Sequence, residues 1–298
     1  MKKNNKHAYL IMAHHRFDIL EELLKDLDDE RNDIFLHIDI KARDFPLHHF
    51  NRLLQKATLI LIKRMDVHWG GYSQIECVGN LLKAATSYGY HSYYHFMVGV
   101  EFPLKNQNYI HKFFEHNAGY EFIGFDQKDN NFEERVKYYH VFNEYARNNT
   151  YFQKILNKIR IFGVAVQRLF NIDHSKKFGL VLKKGNANWS ITHDLAYYIV
   201  THEQTTEKIY RHSFCGDEVF IHTLVYNSRF RKNIYDPNDE CHSSMRITTW
   251  DNKYNRYYVK DVDLLLNSGR LFARKIDGDD ATNLISFIKK KREDQSTY

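Results

Sequence analysis

The feature that most constrains this chain is the way short apolar runs alternate with longer helical periods. "HAYLIMA" (7–13) predicts a buried strand, and "DIFLHID" (33–39), "ATLILI" (57–62), "YYHFMVG" (93–99) and "YEFIGF" (120–125) predict further strands. Between them, "FDILEELLKDLDDE" (17–30), "HHFNRLLQ" (48–55), "SQIECVGNLLKAATSYG" (73–89) and "NYIHKFFEHN" (108–117) repeat their apolar residues at helical spacing. Strand–helix alternation of this kind predicts an α/β fold: a mostly parallel sheet flanked by helices. Ligands of such sheets bind beyond the carboxyl ends of the strands. His14, His15, Asp39, Lys41, Trp69 and Glu101, each just after a strand, are therefore the residues to watch.

The middle differs. Residues 135–172 keep a helical period, with Lys and Arg interleaved. Within 151–171, Phe152, Ile155, Ile159, Phe162, Val166 and Phe170 share a stripe, while Lys154, Lys158, Arg160 and Arg168 lie elsewhere. Two readings stay open: a helix packed on the domain, or a basic amphipathic helix on an anionic membrane. Alternation then returns with "NWSIT" (188–192), a helix from His193, a helix after Asp217, "MRITTW" (245–250), and helices over 261–268 and 281–294. With three prolines and 13 glycines in 298 residues there is little room for a linker, so one domain is expected.

The net charge of +6 suits an anionic small ligand or membrane surface and is too small to argue for nucleic acid. The three cysteines form no CxxC pair, which fits a reducing compartment. "AYLIMA" is too short for a signal peptide or a span, and no 18-residue apolar stretch exists. The expectation is a cytoplasmic protein, or one peripheral on the inner face of the cell membrane.

"FCGDEVFIHTL" (214–224) places two acids at the mouth of an apolar run. Both could serve a helix start, where the dipole favours carboxylates. The helix that follows is apolar nearly all round, and a carboxylate at its buried mouth is costly unless satisfied. Such a group is also a candidate general base.

The ordered set "AYLIMAHHRFDILEELLKDL", "FLHIDIKA", "VHWGGYSQIECVGNLLKAA", "FMVGVEFPLK", "KGNANWSIT", "CGDEVFIHTL", "MRITTW" and "LFARKID" resembles the core-2/I-branching β-1,6-N-acetylglucosaminyltransferases. This is glycosyltransferase family 14, which also contains peptide xylosyltransferases. The resemblance covers roughly residues 7–277; the basic region at 140–180 has no counterpart in it. It implies a GT-A-like, Rossmann-type single domain, with a nucleotide-binding half (1–125) and an acceptor and catalytic half (126–298). It also implies inverting transfer from a UDP-sugar without a metal or other cofactor, N-acetylglucosamine being the donor sugar favoured.

On this resemblance Glu218 falls on the catalytic base, and Asp217 becomes a helix cap or a partner orienting Glu218. Lys275 falls on a diphosphate-binding lysine next to Arg274. The second cation is Arg256 or Lys260, with Arg256 favoured. Ala13, His14 and Asp39 fall on the nucleoside pocket, which Trp69 and Gly70 could line. Trp250, Arg135 and Trp189 fall on the acceptor side. Glu101 replaces an Asp of the family's pattern, and Phe132 replaces a basic residue beside Arg135. The family's secreted members carry disulfides and an anchoring span that this chain lacks. That suggests a bacterial-type enzyme acting on a lipid-linked or surface-polysaccharide intermediate.

A cation-dependent transferase with a DxD pair is the alternative. Asp39 has Lys41 where a second acid would stand, and "DGDD" (277–280) reads equally as a loop ending in a helix cap. His14 and His15, adjacent on a strand, would point opposite ways and not share an ion. A non-catalytic carbohydrate- or nucleotide-binding protein is the remaining reading.

Overall fold

The structure, a computed structural model, describes residues 5–128, 131–145, 150–248 and 256–295. Its strands in chain order are β1 (His7–Ala13), β2 (Asn32–Ile38), β3 (Thr58–Leu61), β4 (Tyr93–Val98), β5 (Glu101–Pro103), β6 (Trp189–Thr192), β7 (Arg246–Thr248) and β8 (Phe272–Arg274). The main sheet has the order β3-β2-β1-β4-β6, parallel except for the antiparallel edge strand β6. A small second sheet, β5-β8-β7, stands beyond it.

The helices are α1 (Phe17–Asp26), α2 (Leu47–Phe50), α3 (Tyr72–Tyr88), α4 (Gln107–His116), α5 (Glu134–Lys137), α6 (Tyr151–Leu169), α7 (His193–Thr201), α8 (Glu203–Tyr210), α9 (Phe220–Tyr226), α10 (Glu240–Ser244), α11 (Val262–Asn267) and α12 (Ala281–Gln295). Alternation along β1 sorts them into two layers. Tyr9, Ile11 and Ala13 join one core with apolar residues of α1, α4, α11 and α12. Ala8 and Leu10 join the other with α3, α7, α8 and α9. Both faces of β1 are buried, which is why its sequence from Ala8 to Ala13 is an apolar run.

Several expected elements are shorter or absent. α1 stops at Asp26 rather than at residue 30. Three acids at its carboxyl end would oppose the helix dipole. Asp28 instead accepts the backbone N–H groups of Gln55, Lys56 and Ala57 at 2.8–3.0 Å. The helix expected over 48–55 is the single turn α2. Residues 120–125 form no strand. β6 has taken the sheet edge, and they form isolated bridges, Phe122 with Ser190 of β6 and Glu121 with Ile234. The helical region 135–172 is broken into α5, a 3-10 turn at Asn143–Tyr145, and α6.

Candidate functional site

The site lies where a sheet of this order predicts it, at the carboxyl ends of the central parallel strands. The Asp39 N–H donates to Ala13 O at 3.0 Å, and the Gly99 N–H to Met12 O at 3.0 Å, so the chain leaves β2 and β4 beside the end of β1. A Cβ on Gly99 would stand 2.7 Å from Ala13 Cβ, so this approach requires glycine. Above these ends opens a cleft of about 810 Å³. It brings together Ala13, His14, Asp39, Trp69, Asp217, Glu218, Arg256, Arg274 and Lys275.

The acids sit on a 3-10 turn, Gly216–Glu218, that precedes α9. Neither side chain caps a helix, which corrects the cap expected of Asp217. Cys215, at φ 51°, turns the backbone before the acids arrive. Gln74 Nε2 donates to Asp217 Oδ2 at 3.4 Å. Burial, then the charge of Glu218, pushes the Asp217 carboxyl up to about 6. Glu218 Oε2 accepts from Arg135 Nη1 at 2.6 Å, and its backbone carbonyl takes the Gly185 N–H at 3.0 Å. One carboxylate oxygen is thus fixed, and the cleft runs past the side chain.

Cations form another part of the lining. Lys275 is placed by β8 and by its carbonyl, which accepts the Tyr257 N–H at 3.0 Å. Arg256 is half exposed, with Nε 2.9 Å from Asp277 Oδ1. Arg274 Nη1 donates to Asn188 Oδ1 at 3.0 Å. His14 and His15 also line the cleft, with ring centroids 4.2 Å apart. They do not point opposite ways, because β1 has ended at Ala13. Burial first, then neighbouring positive groups, lowers the pKa of His14. His15 is lowered by burial and by Lys275, against the opposing pull of Asp277.

Four expected site residues are placed elsewhere or otherwise. Gly70, at φ +77°, does not line the cleft; its carbonyl takes the Cys215 N–H at 2.9 Å and so holds the acid turn. Glu101 is fully buried and makes an internal ion pair, with Oε1 2.9 Å from Arg246 Nε. Its other oxygen accepts from Asn188 Nδ2, so Glu101 reaches the cleft only through Asn188 and Arg274. Trp189 is fully buried, stacked on Phe96 across the β4–β6 pair with centroids 5.4 Å apart; it is a core residue, not a groove wall. Arg135 is beside the site through Glu218 rather than in the cleft lining. Trp250 lies outside the described residues.

Asp39 lines the cleft with its carboxylate already engaged, accepting the Lys41 N–H at 2.8 Å and the Val67 N–H at 3.3 Å. Of "DGDD", Asp277 meets Arg256, and Asp280 Oδ2 accepts the Val259 N–H at 2.9 Å. Among the described residues no group of three or more His, Cys, Asp or Glu side chains converges to hold a metal ion.

Sequence reasoning missed Asn188, Arg246 and Gln74. A signal existed for the ion pair: Glu101 in "VGVEFPL" and Arg246 in "MRIT" are opposite charges inside apolar runs, and buried charges need partners. Nothing comparable marked Asn188 or Gln74.

Residues 7–264 match the Core-2/I-branching enzyme family. The chain belongs to that family. This branching-family enzyme is a glycosyltransferase, with a nucleotide-sugar donor and a saccharide acceptor. No curated protein sequence matches it. Among solved structures, mouse xyloside xylosyltransferase 1 in its apo form aligns over 92% of this chain and 97% of that one, at 12% identity and a TM-score of 0.39. No helix among the described residues is long and apolar enough to cross a membrane.

Proposed function

We propose that this enzyme is an inverting, metal-independent transferase that moves N-acetylglucosamine from UDP to a saccharide hydroxyl. The observation that carries the reading is the shared cleft: a carboxylate held by an arginine and the cations Lys275, Arg256 and Arg274 line one cavity. Inversion needs a base on the sugar face opposite the leaving group. Glu218 takes the proton of the acceptor hydroxyl, the acceptor oxygen bonds to the anomeric carbon, and the bond from that carbon to the diphosphate oxygen breaks. The electron pair leaves with UDP, and Lys275, with Arg256 beside it, meets the growing charge. Ala13, His14, Asp39 and Trp69 form the nucleoside end of the cleft.

The choice of UDP and of N-acetylglucosamine rests on the family resemblance, as does the acceptor. That acceptor is a lipid-linked or surface-polysaccharide intermediate, met by a bacterial-type enzyme at the cytoplasmic face of the cell membrane.

The test pairs Glu218→Gln with calorimetric titration of UDP in EDTA and in Mn²⁺. The carboxamide keeps the shape and loses the basicity, so transfer is expected to fall by about a hundredfold or more while UDP still binds. Normal turnover in Glu218→Gln removes the base assignment. UDP binding that requires Mn²⁺ returns the reading to a cation-dependent enzyme using Asp277.

A further inference from the structure

Helix α6 carries its apolar stripe on the wrong side for a packed helix. At 3.6 residues per turn, Leu169, Tyr151, Phe162, Ile155, Val166, Ile159 and Phe152 share an arc of about 100°. In a helix packed on its domain that arc faces the core. Here it faces solvent: Tyr151 is 81% exposed, Leu169 78%, Phe162 70% and Phe152 67%. The opposite side holds the helix down. Leu156 and Val164 are its buried residues. Gln167 donates to Tyr139 O at 2.9 Å and accepts the Tyr139 N–H at 2.8 Å. A capping box of Thr150 and Gln153 fixes the first turn, so the helix is ordered while its apolar arc is uncovered.

The charges around the arc choose its occupant. α6 contains Lys154, Lys158, Arg160 and Arg168 and no acid. Lys154 and Lys158 are exposed and border the arc on one flank, and exposed Lys176 and Lys177 follow the helix. A second copy packed on this arc would bring like charges together, where helix pairs use opposite ones. A bilayer with anionic headgroups offers both the apolar layer and the countercharge.

The helix is also tied to the chemistry. Arg160 holds its guanidinium 4.3 Å over the Phe214 ring and Nη1 3.1 Å from His140 Nδ1. The Phe214 N–H donates to the Arg135 carbonyl at 2.9 Å, and Arg135 holds Glu218. We infer that α6 lies flat on an anionic lipid bilayer, apolar arc down, and so presents the Glu218 turn to an acceptor carried in that bilayer. The docking is new, and its purpose rests on the transferase reading above.

The experiment is flotation of the full chain with phosphatidylcholine vesicles and with vesicles containing phosphatidylglycerol, alongside UDP titration without lipid. Wild type is expected to float with the anionic vesicles alone, and less as salt rises. Phe152→Asp with Phe162→Asp, and separately Lys154→Glu with Lys158→Glu, should each lower flotation by about tenfold or more and leave UDP binding unchanged. These side chains point to solvent, so unchanged UDP binding also reports an intact fold. Three results overturn the inference: no flotation of wild type, equal flotation with neutral vesicles, or flotation unchanged in the Phe152→Asp/Phe162→Asp variant. A lipid-free dimer broken by that variant, without flotation of wild type, assigns the arc to a second copy instead. Wild type that floats but binds no UDP keeps the docking and removes the UDP-donor reading.

Discussion

Arg135 Nη1 stands 2.6 Å from Glu218 Oε2, although 83 residues separate the two in sequence. The contact joins the segment around α5 to the turn before α9. It holds one oxygen of the carboxylate and thereby sets where the other can go.

Arg135→Ala is therefore expected to act on turnover and not on nucleotide affinity. Freed of its partner, the Glu218 side chain samples other rotamers, and displacement of this order costs about tenfold to a hundredfold in rate. Steady-state kinetics beside UDP titration checks this. A tenfold loss of UDP affinity with kcat unchanged would place Arg135 on the donor instead.

Lys275 and Arg256 should differ. If Lys275 meets the diphosphate as proposed, Lys275→Ala is expected to weaken UDP by about tenfold or more and uridine very little. Arg256 is half exposed and already meets Asp277, so Arg256→Ala should cost less. Parallel titrations of uridine, UMP and UDP decide it, and equal losses for uridine and UDP would remove Lys275 from the diphosphate.

Asp217 makes stability depend on pH. Its carboxyl is pushed up to about 6 in the folded chain, against about 4 when unfolded. The folded state thus binds the extra proton, and the contribution is fully present below pH ~4 and lost as pH rises through ~6. Asp217→Asn stays neutral throughout. It should flatten the stability profile between those values and be more stable than wild type at pH ~8 by about 1–2 kcal/mol. Urea denaturation across that pH range measures it, and parallel profiles would contradict it.

Glu101→Gln leaves Arg246 buried without its countercharge, and breaking such a pair costs about 3–5 kcal/mol. The same variant weakens the hold of Asn188, and through it the seat of Arg274. Lower stability in chemical denaturation is expected, with a weaker UDP complex in the folded fraction. Retained stability would mean that water serves Arg246.

What the sequence made legible follows from what periodicity encodes. β1, β2 and β4 read as largely apolar runs because both their faces are covered, and the parallel-sheet rule then points to His14 and Asp39. Trp189 was not legible: an aromatic beside polar residues reads alike whether it stacks on a sugar or on Phe96. The Asp217 cap failed because Cys215 at φ 51° starts a 3-10 turn that composition does not announce. For α6 the stripe was correct and its direction was not available. A helical period tells which side chains share a face, and only the neighbours decide which way that face looks.

The connections of α6 have a further consequence. In sequence the helix falls between α5 and β6, after β1, β2 and β4, whose ends line the cleft. It grips the rest of the chain through buried Leu156 and Val164, an ion pair of Arg168 with Glu134 and contacts at Tyr139, His140 and Phe214. A segment attached in this way is an address label: its solvent-facing side chains can be recharged or exchanged to suit a different surface, while Arg160, on the side that meets Phe214, has to stay for the Glu218 turn to keep its shape.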